Sequence, residues 1–380
     1  MKKNYLLTPG PTPIPESILA VLSQPIIHHR TAPFEALFAE VREGLKYLFQ
    51  TQQDVLMLST SGTGAMEAAI VNLFSPGDEV ITINGGKFGE RWTKLAQRFG
   101  LKPIEIKLEW GHAVEPAQLA QTIKAHPQAR AILFQASETS TGTVMPTEEI
   151  CRQAQAAGML SVCDAITALG VFDLPMDKWG IDVLITGSQK ALMLPPGLAM
   201  IALSDRAWAA TETSTIPKFY LDLKAERKVI SKNTTAWTPA ISLIAGLKEA
   251  LRMIREEGLE NVFKRHDLLA RATRNAARAL GMEMLSKAPS NAVTAVLVPP
   301  TIQDGKAILK VLSKKYGIFM IGGQDHYEGK LVRLSHIGYC DRFDVTTGIA
   351  GLELALSELG HPVEFGKGVG AALKTFAEEK

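Results

Sequence analysis

The sequence predicts an α/β layered fold, and three observations carry that prediction. Short apolar runs of strand length alternate with stretches of helical periodicity through the first 260 residues. One of those runs empties into a glycine-rich turn that opens a helix. The residues equipped for chemistry stand where apolar runs end, which is where layered α/β sheets place their sites.

In chain order, residues 4–15 carry Pro9, Pro11, Pro13 and Pro15, a density that holds the backbone extended and excludes helix. Apolar residues recur at helical spacing from Phe34 to Phe49. Residues 55–58 read as a strand, 59–64 as the glycine-rich turn and 65–74 as a helix. Further strands are expected at 78–83, 103–108, 131–135, 159–164 and 182–186, with helices at 115–124 and 147–157 between them. The pattern loosens after residue 204, resumes as helices at 240–257 and 259–281, and then gives a smaller α/β region. That region is expected to hold strands at 292–298, 318–321 and 331–334 and helices at 304–316 and 343–359.

Composition narrows the function. A 46% hydrophobic content with 21% charged residues is that of a folded globular chain, and a net charge of +2 gives no electrostatic case for nucleic acid or an acidic membrane. Cys151, Cys163 and Cys340 are odd in number and scattered, with no CxxC, so neither a metal site nor a disulfide framework is expected. A reducing, cytoplasmic setting is the expectation. No apolar run reaches membrane-spanning length, and the early prolines interrupt any secretory leader.

Lys190 is the focus of the chain. It follows a strand, and apolar residues flank it on both sides, a setting that desolvates an amine and frees it as a nucleophile. Asp164 closes an earlier apolar run, where a carboxylate needs a cation or hydrogen bonds. It could simply cap the next turn, or it could face a protonated ring nitrogen. A Schiff-base lysine and a carboxylate on a pyridinium nitrogen are the two groups that pyridoxal phosphate chemistry asks of a protein. The turn at 59–64 offers free backbone N–H groups at a helix start, with hydroxyls from Ser61 and Thr63. It lacks the GxGxxG spacing and the lysine of a nucleotide loop.

Taken together, Ser188, Gln189 and Lys190, with Asp164–Ala165 before them, Pro195–Gly197 after them and the opening Thr8–Pro11, make the chain resemble the class V aminotransferases. The resemblance runs from residue 8 to Arg333 and is strongest to the alanine–glyoxylate and serine–pyruvate (serine–glyoxylate) branch. It implies fold type I. A large domain would carry a mainly parallel seven-stranded sheet (residues 19–260), with a small C-terminal domain (261–380) and an N-terminal arm (1–18) over the site. It also implies a homodimer with sites at the subunit interface.

By the same resemblance, Lys190 binds pyridoxal 5′-phosphate and Gln189 sits beside it. Asp164 faces the ring nitrogen, and Ser61, Gly62, Thr63 and Gly64 take the phosphate. Phe88 would stack on the ring, where close relatives often carry Trp, and Thr139 would lie near its phenolic oxygen or face. Thr235 would reach across the dimer. Gly10, His29 and Arg333 would meet substrate, Arg333 as a bidentate clamp on the α-carboxylate with His336 in support, and Arg30 would stand near the entrance. The adjacent His28 and His29 point to different faces, which disfavours a metal. With one arginine evident for one carboxylate, alanine or serine as donor and glyoxylate or pyruvate as acceptor are the expected substrates. The alternatives are an aminotransferase for 2-aminoethylphosphonate, a lyase or desulfurase using Cys340, and a non-catalytic assembly subunit that retains the fold.

Overall fold

The structure is a computed structural model that describes residues 3–378. Its centre is a seven-stranded sheet in the order Val55–Leu58, Ala199–Leu203, Val183–Gly187, Leu160–Asp164, Ala131–Gln135, Glu79–Asn84 and Lys102–Lys107. Ala199–Leu203 runs antiparallel to both its neighbours, and the other adjacent strands pair in parallel. The strands from Val55–Leu58 to Ala131–Gln135 across the middle of the sheet are buried at every position, because helices cover both faces; this is why they read as unbroken apolar runs.

Register brings the chemistry together. Asp164 pairs laterally with Gln135 on one side and Ile185 on the other, so the polar strand ends share one edge of the sheet. The opposite edge holds a second buried carboxylate, Asp182, which is fully occupied. It accepts from Ser161 N at 3.0 Å and Ser204 Oγ at 2.7 Å and pairs with Arg206 at 3.3 Å. Asp182 is therefore structural, a buried charge compensated at the strand starts.

The large apolar core runs from Ile18 to Val262, and a second core gathers Leu7 with residues between Leu268 and Phe376. The second core backs a three-stranded antiparallel sheet, Val293–Leu297, Leu331–Ser335 and Ile321–Gly322. The presence of Leu7 there has a simple cause. Tyr5–Leu6 pairs in parallel with Ile318–Phe319, and Ser335 N donates to the Leu7 carbonyl at 3.0 Å. The arm is thus hydrogen-bonded to the C-terminal part of the chain before it turns toward Lys190.

Several elements differ from the sequence reading. The helix expected at 304–316 is α-helical only over Lys306–Val311 and widens to a π-turn over Leu312–Tyr316. The strand expected at 318–321 breaks at Met320, because its two halves pair with different partners. The stretch read as arm already turns helical at Glu16–Leu22. Residues 137–142, which in isolation read as a polar loop, belong instead to a tight hairpin of Ser137–Glu138 with Thr143–Val144. Among the described residues, no helix is long and apolar enough to cross a membrane, and no group of His, Cys, Asp and Glu is placed to hold a metal ion.

Candidate active site

Lys190 lies in the turn after Val183–Gly187, and the turn is fixed from several sides. The Ser188 hydroxyl donates to the Pro195 carbonyl at 2.7 Å and accepts from Leu198 N at 3.3 Å. The Lys190 carbonyl accepts from the Thr12 hydroxyl at 3.0 Å and from Met193 N at 3.0 Å. The side chain is 9% exposed, and its ammonium donates to the Pro9 carbonyl. Burial lowers its pKa from 10.5 to about 8; Asp164 opposes that shift, while Arg333 and Arg91 add to it.

Gly10 lies directly on this lysine. A Cβ there would stand 2.6 Å from Nζ and 2.7 Å from Cε, and the glycine's φ of +137° is one that side-chain-bearing residues rarely adopt. Close approach and backbone conformation both select glycine at this point.

Asp164 is buried at its strand end, and burial raises its pKa to about 6 despite a hydrogen bond from Ile166 N at 2.8 Å. That bond is the one its carboxylate receives among the described residues. An under-partnered buried carboxylate, in contrast to the saturated Asp182, leaves capacity for a cationic N–H donor.

The helix Gly62–Leu73 begins at Ser61, whose side chain makes no capping bond; Gly64 N donates to the Ser61 carbonyl at 2.9 Å, which leaves the Gly62 and Thr63 N–H groups and the exposed Ser61 hydroxyl to receive an oxyanion. Neighbouring side chains crowd both glycines. A Cβ on Gly62 would meet Ile166 Cδ1 at 2.3 Å, and one on Gly64 would meet Thr60 Oγ1 at 2.1 Å. Thr63 accepts a hydrogen bond from Arg91 at 2.8 Å. Gln189 keeps a buried side-chain oxygen with no partner.

Arg333, in the centre of Leu331–Ser335, is 2% exposed. It donates through Nε (3.0 Å) and Nη2 (2.7 Å) to the Gly322 carbonyl, and through Nη1 to the Thr139 carbonyl at 3.0 Å. Those partners are neutral. Burial draws its pKa down to about 10, and Glu138 opposes the shift. The Thr139 hydroxyl donates to Thr167 at 2.8 Å. His336 is fully buried beside Thr294, with Nε2 3.1 Å from the Thr294 hydroxyl, and burial lowers its pKa to about 3, so it is neutral.

Lys190 lies within electrostatic reach of both Asp164 and Arg333, and Arg333 donates to the Thr139 carbonyl. Phe88 sits half-buried at the start of Gly89–Arg98, with the Arg91 guanidinium 5.0 Å from its ring centre. His29 and Thr235 are not joined to this group. His29 lies against His28, and burial and Arg30 lower its pKa. The Thr235 hydroxyl donates to the Trp237 carbonyl at 2.6 Å, and the Thr235 carbonyl accepts from Arg30 at 3.2 Å.

The sequence reading passed over three residues. Glu138 is fully buried and accepts from the Ser140 hydroxyl (2.5 Å), Ser140 N (3.0 Å), Gly89 N (2.9 Å) and Phe88 N (3.3 Å). Its carboxylate ties the Phe88 turn to the hairpin that carries Thr139. The signal was present, an acid just past an apolar run, as for Asp164. Arg91 follows Phe88 by three residues and so shares its helix face. His266 accepts from Gly338 N at 3.1 Å through Nε2 while Nδ1 bonds the Val262 carbonyl at 2.7 Å. Gly338 packs so closely on the Lys190 carbonyl that a Cβ would lie 2.9 Å from it. No sequence pattern marks that contact.

The mainly parallel sheet, with a buried amine, an under-partnered carboxylate and an oxyanion cradle at one edge, defines a fold type I pyridoxal-phosphate transferase fold. The chain belongs to the aminotransferase class-V family, whose model matches residues 4–345. It is 42% identical over 381 residues to the soluble hydrogenase 42 kDa subunit of Anabaena cylindrica, covering 99% of both chains. It is 34% identical over 384 residues to the L-aspartate–glyoxylate aminotransferase of Paracoccus denitrificans, covering 99% of this chain and 97% of that one. The crystal structure of ureidoglycine–glyoxylate aminotransferase from Bacillus subtilis superposes with a TM-score of 0.95 at 28% identity, over 99% of each chain.

Proposed function

We propose that the protein is a pyridoxal 5′-phosphate-dependent aminotransferase that moves the amino group of a small amino acid, alanine or serine, to a small 2-oxo acid, glyoxylate or pyruvate, one substrate at a time. The observation that carries this is a desolvated Lys190 within electrostatic reach of a buried, under-partnered Asp164. The residues fit the cofactor: the Gly62–Gly64 cradle suits its phosphate, Asp164 its ring nitrogen and Lys190 its aldehyde. When bound, the cofactor supplies an electron sink for the carbanion formed at the substrate's α-carbon. Asp164 holds a proton on the ring nitrogen. Lys190, with its pKa drawn toward neutrality, accepts and returns the α-proton. Arg333 orients the substrate through its carboxylate, and Gly10 with the Pro9 carbonyl closes the cleft over Lys190.

A homodimer in the cytoplasm completes the reading. The cluster of His29, Arg30 and Thr235, away from this chain's Lys190, is the part of the chain that a partner's site would use. Desulfurase chemistry is not favoured: Cys340 is buried and its thiol pKa is pushed well up, which suppresses the thiolate such transfer needs. The name of the Anabaena relative supports a second reading, a subunit that keeps the fold for assembly. Against it stands the free-energy cost of burying Lys190 and Asp164, which a scaffold has no use for. Turnover of L-alanine with glyoxylate by the wild type, and its loss in a folded Lys190→Ala variant, is the expected result. Equal turnover in the two proteins would remove Lys190 from the chemistry, and none in either, after incubation with pyridoxal phosphate, would favour the assembly reading.

A further inference from the structure

Arg91 has chemistry that the reading above leaves unused. It is half-buried at the start of Gly89–Arg98, one turn after Phe88. The one hydrogen bond its guanidinium makes among the described residues goes to a neutral group, the Thr63 hydroxyl, at 2.8 Å. No carboxylate pairs with it at ion-pair distance among those residues, although its charge is felt at both Asp164 and Lys190. A guanidinium has five N–H donors in a fixed fork, so most of Arg91's capacity is unspent beside the Gly62 turn that its bond to Thr63 reaches.

The charge balance points the same way. Lys190 feels two cations, Arg333 and Arg91, and one acid, Asp164, and Asp164 in turn feels Arg91, Lys190 and Glu138. The surroundings of Lys190 are therefore cation-rich before any anion enters. Thr63 belongs to the first turn of Gly62–Leu73, where unbonded N–H groups and the positive end of the helix dipole already favour an oxyanion. The Arg91–Thr63 bond fixes the guanidinium at that turn.

We propose that Arg91 is the charged member of the oxyanion site at the Gly62 helix, clamping the cofactor's phosphate from the Phe88 side while the helix N-terminus holds it from the other. The proposal rests on the cofactor assignment made above. It makes Arg91 a binding residue for the phosphate alone, although its guanidinium also lies 5.0 Å from the Phe88 ring centre. The same fork could instead serve a second carboxylate on a dicarboxylic substrate. The bond to Thr63 favours the phosphate.

The test measures binding to apoprotein rather than turnover. Dissociation constants for pyridoxal 5′-phosphate, pyridoxal and inorganic phosphate are determined by calorimetry for wild type, Arg91→Gln and Arg91→Lys. Arg91→Gln is expected to weaken pyridoxal phosphate and inorganic phosphate by about 10- to 100-fold while leaving pyridoxal unchanged, with Arg91→Lys recovering part of the loss. Equal weakening of pyridoxal and pyridoxal phosphate overturns the proposal, as does unchanged phosphate binding. A rise in KM confined to aspartate over alanine, with phosphate binding intact, also overturns it and assigns Arg91 to a substrate carboxylate. If wild type binds pyridoxal phosphate no better than Lys190→Ala does, the cofactor assignment fails on its own. The inorganic phosphate arm still decides Arg91: a loss in Arg91→Gln keeps the anion site, and no loss removes it.

Discussion

Replacing Arg333 by alanine probes the substrate-binding half of the account. The guanidinium is 2% exposed, and its three hydrogen bonds end on the carbonyls of Gly322 and Thr139. Those carbonyls hold the fork in place but do not neutralise it, and a pKa of about 10 keeps it charged at pH 7. An incoming α-carboxylate supplies the missing anion. Two charge-assisted hydrogen bonds at roughly 1.5–3 kcal/mol each give about 3–6 kcal/mol, or ~10²- to 10⁴-fold in kcat/KM for L-alanine. Part of the damage falls on the fold, because each orphaned carbonyl costs ~1–3 kcal/mol, so thermal melting is followed in parallel. Arg333→Lys keeps the charge and loses the fork, and should fall between the two. The assay is steady-state transamination of alanine with glyoxylate. A folded Arg333→Ala protein whose kcat/KM stays within about threefold of wild type, less than ~1 kcal/mol, would refute the reasoning and place the carboxylate elsewhere.

Two other perturbations bear on Lys190. Gly10→Ala puts a methyl group 2.6–2.8 Å from the last three atoms of the lysine at a φ of +137°; the lysine is expected to swing away and kcat to fall by about tenfold or more, and wild-type kinetics in this variant would contradict the contact. The rate at which apoprotein captures pyridoxal phosphate is expected to climb with pH and level off near pH 8 instead of continuing toward 10.5. The sign follows from burial: the folded pKa lies below the unfolded one, so protonated Lys190 destabilises the fold below about pH 8, and stability rises between there and 10.5, where only the unfolded chain still holds the proton. Stopped-flow absorbance across that range checks the first part, and urea midpoints of wild type against Lys190→Ala check the second.

Most of the central sheet was legible because Val55–Leu58, Ala131–Gln135, Leu160–Asp164 and Val183–Gly187 are buried on both faces and so appear as uninterrupted apolar runs; Ala199–Leu203, equally buried, was not among the strands expected, and Lys102–Lys107 at the edge is largely exposed. Lys190 and Asp164 were legible because each breaks such a run with a charge. Arg333 was legible for the same reason, as a cation inside an apolar strand. Glu138 carried the same signal but stood among hydroxyl residues that disguised a hairpin as a loop. Arg91 was not singled out in the sequence, and only its bond to Thr63 at the Gly62 turn distinguishes it. The short helix Glu16–Leu22 and the split at Met320 were not legible, since both depend on which distant segment the backbone meets. The contact of His266 with Gly338, and through it with Lys190, spans 72 residues and leaves no local trace.

The central claim is that Lys190 and Asp164 form a working pyridoxal phosphate site, and a visible absorption spectrum of the purified protein tests it most directly. After incubation with pyridoxal phosphate, the account predicts a protein-bound band that fades on adding L-alanine or L-serine, returns with glyoxylate or pyruvate, and is absent from Lys190→Ala. No band in the wild type, or a band equally present in Lys190→Ala, would contradict it.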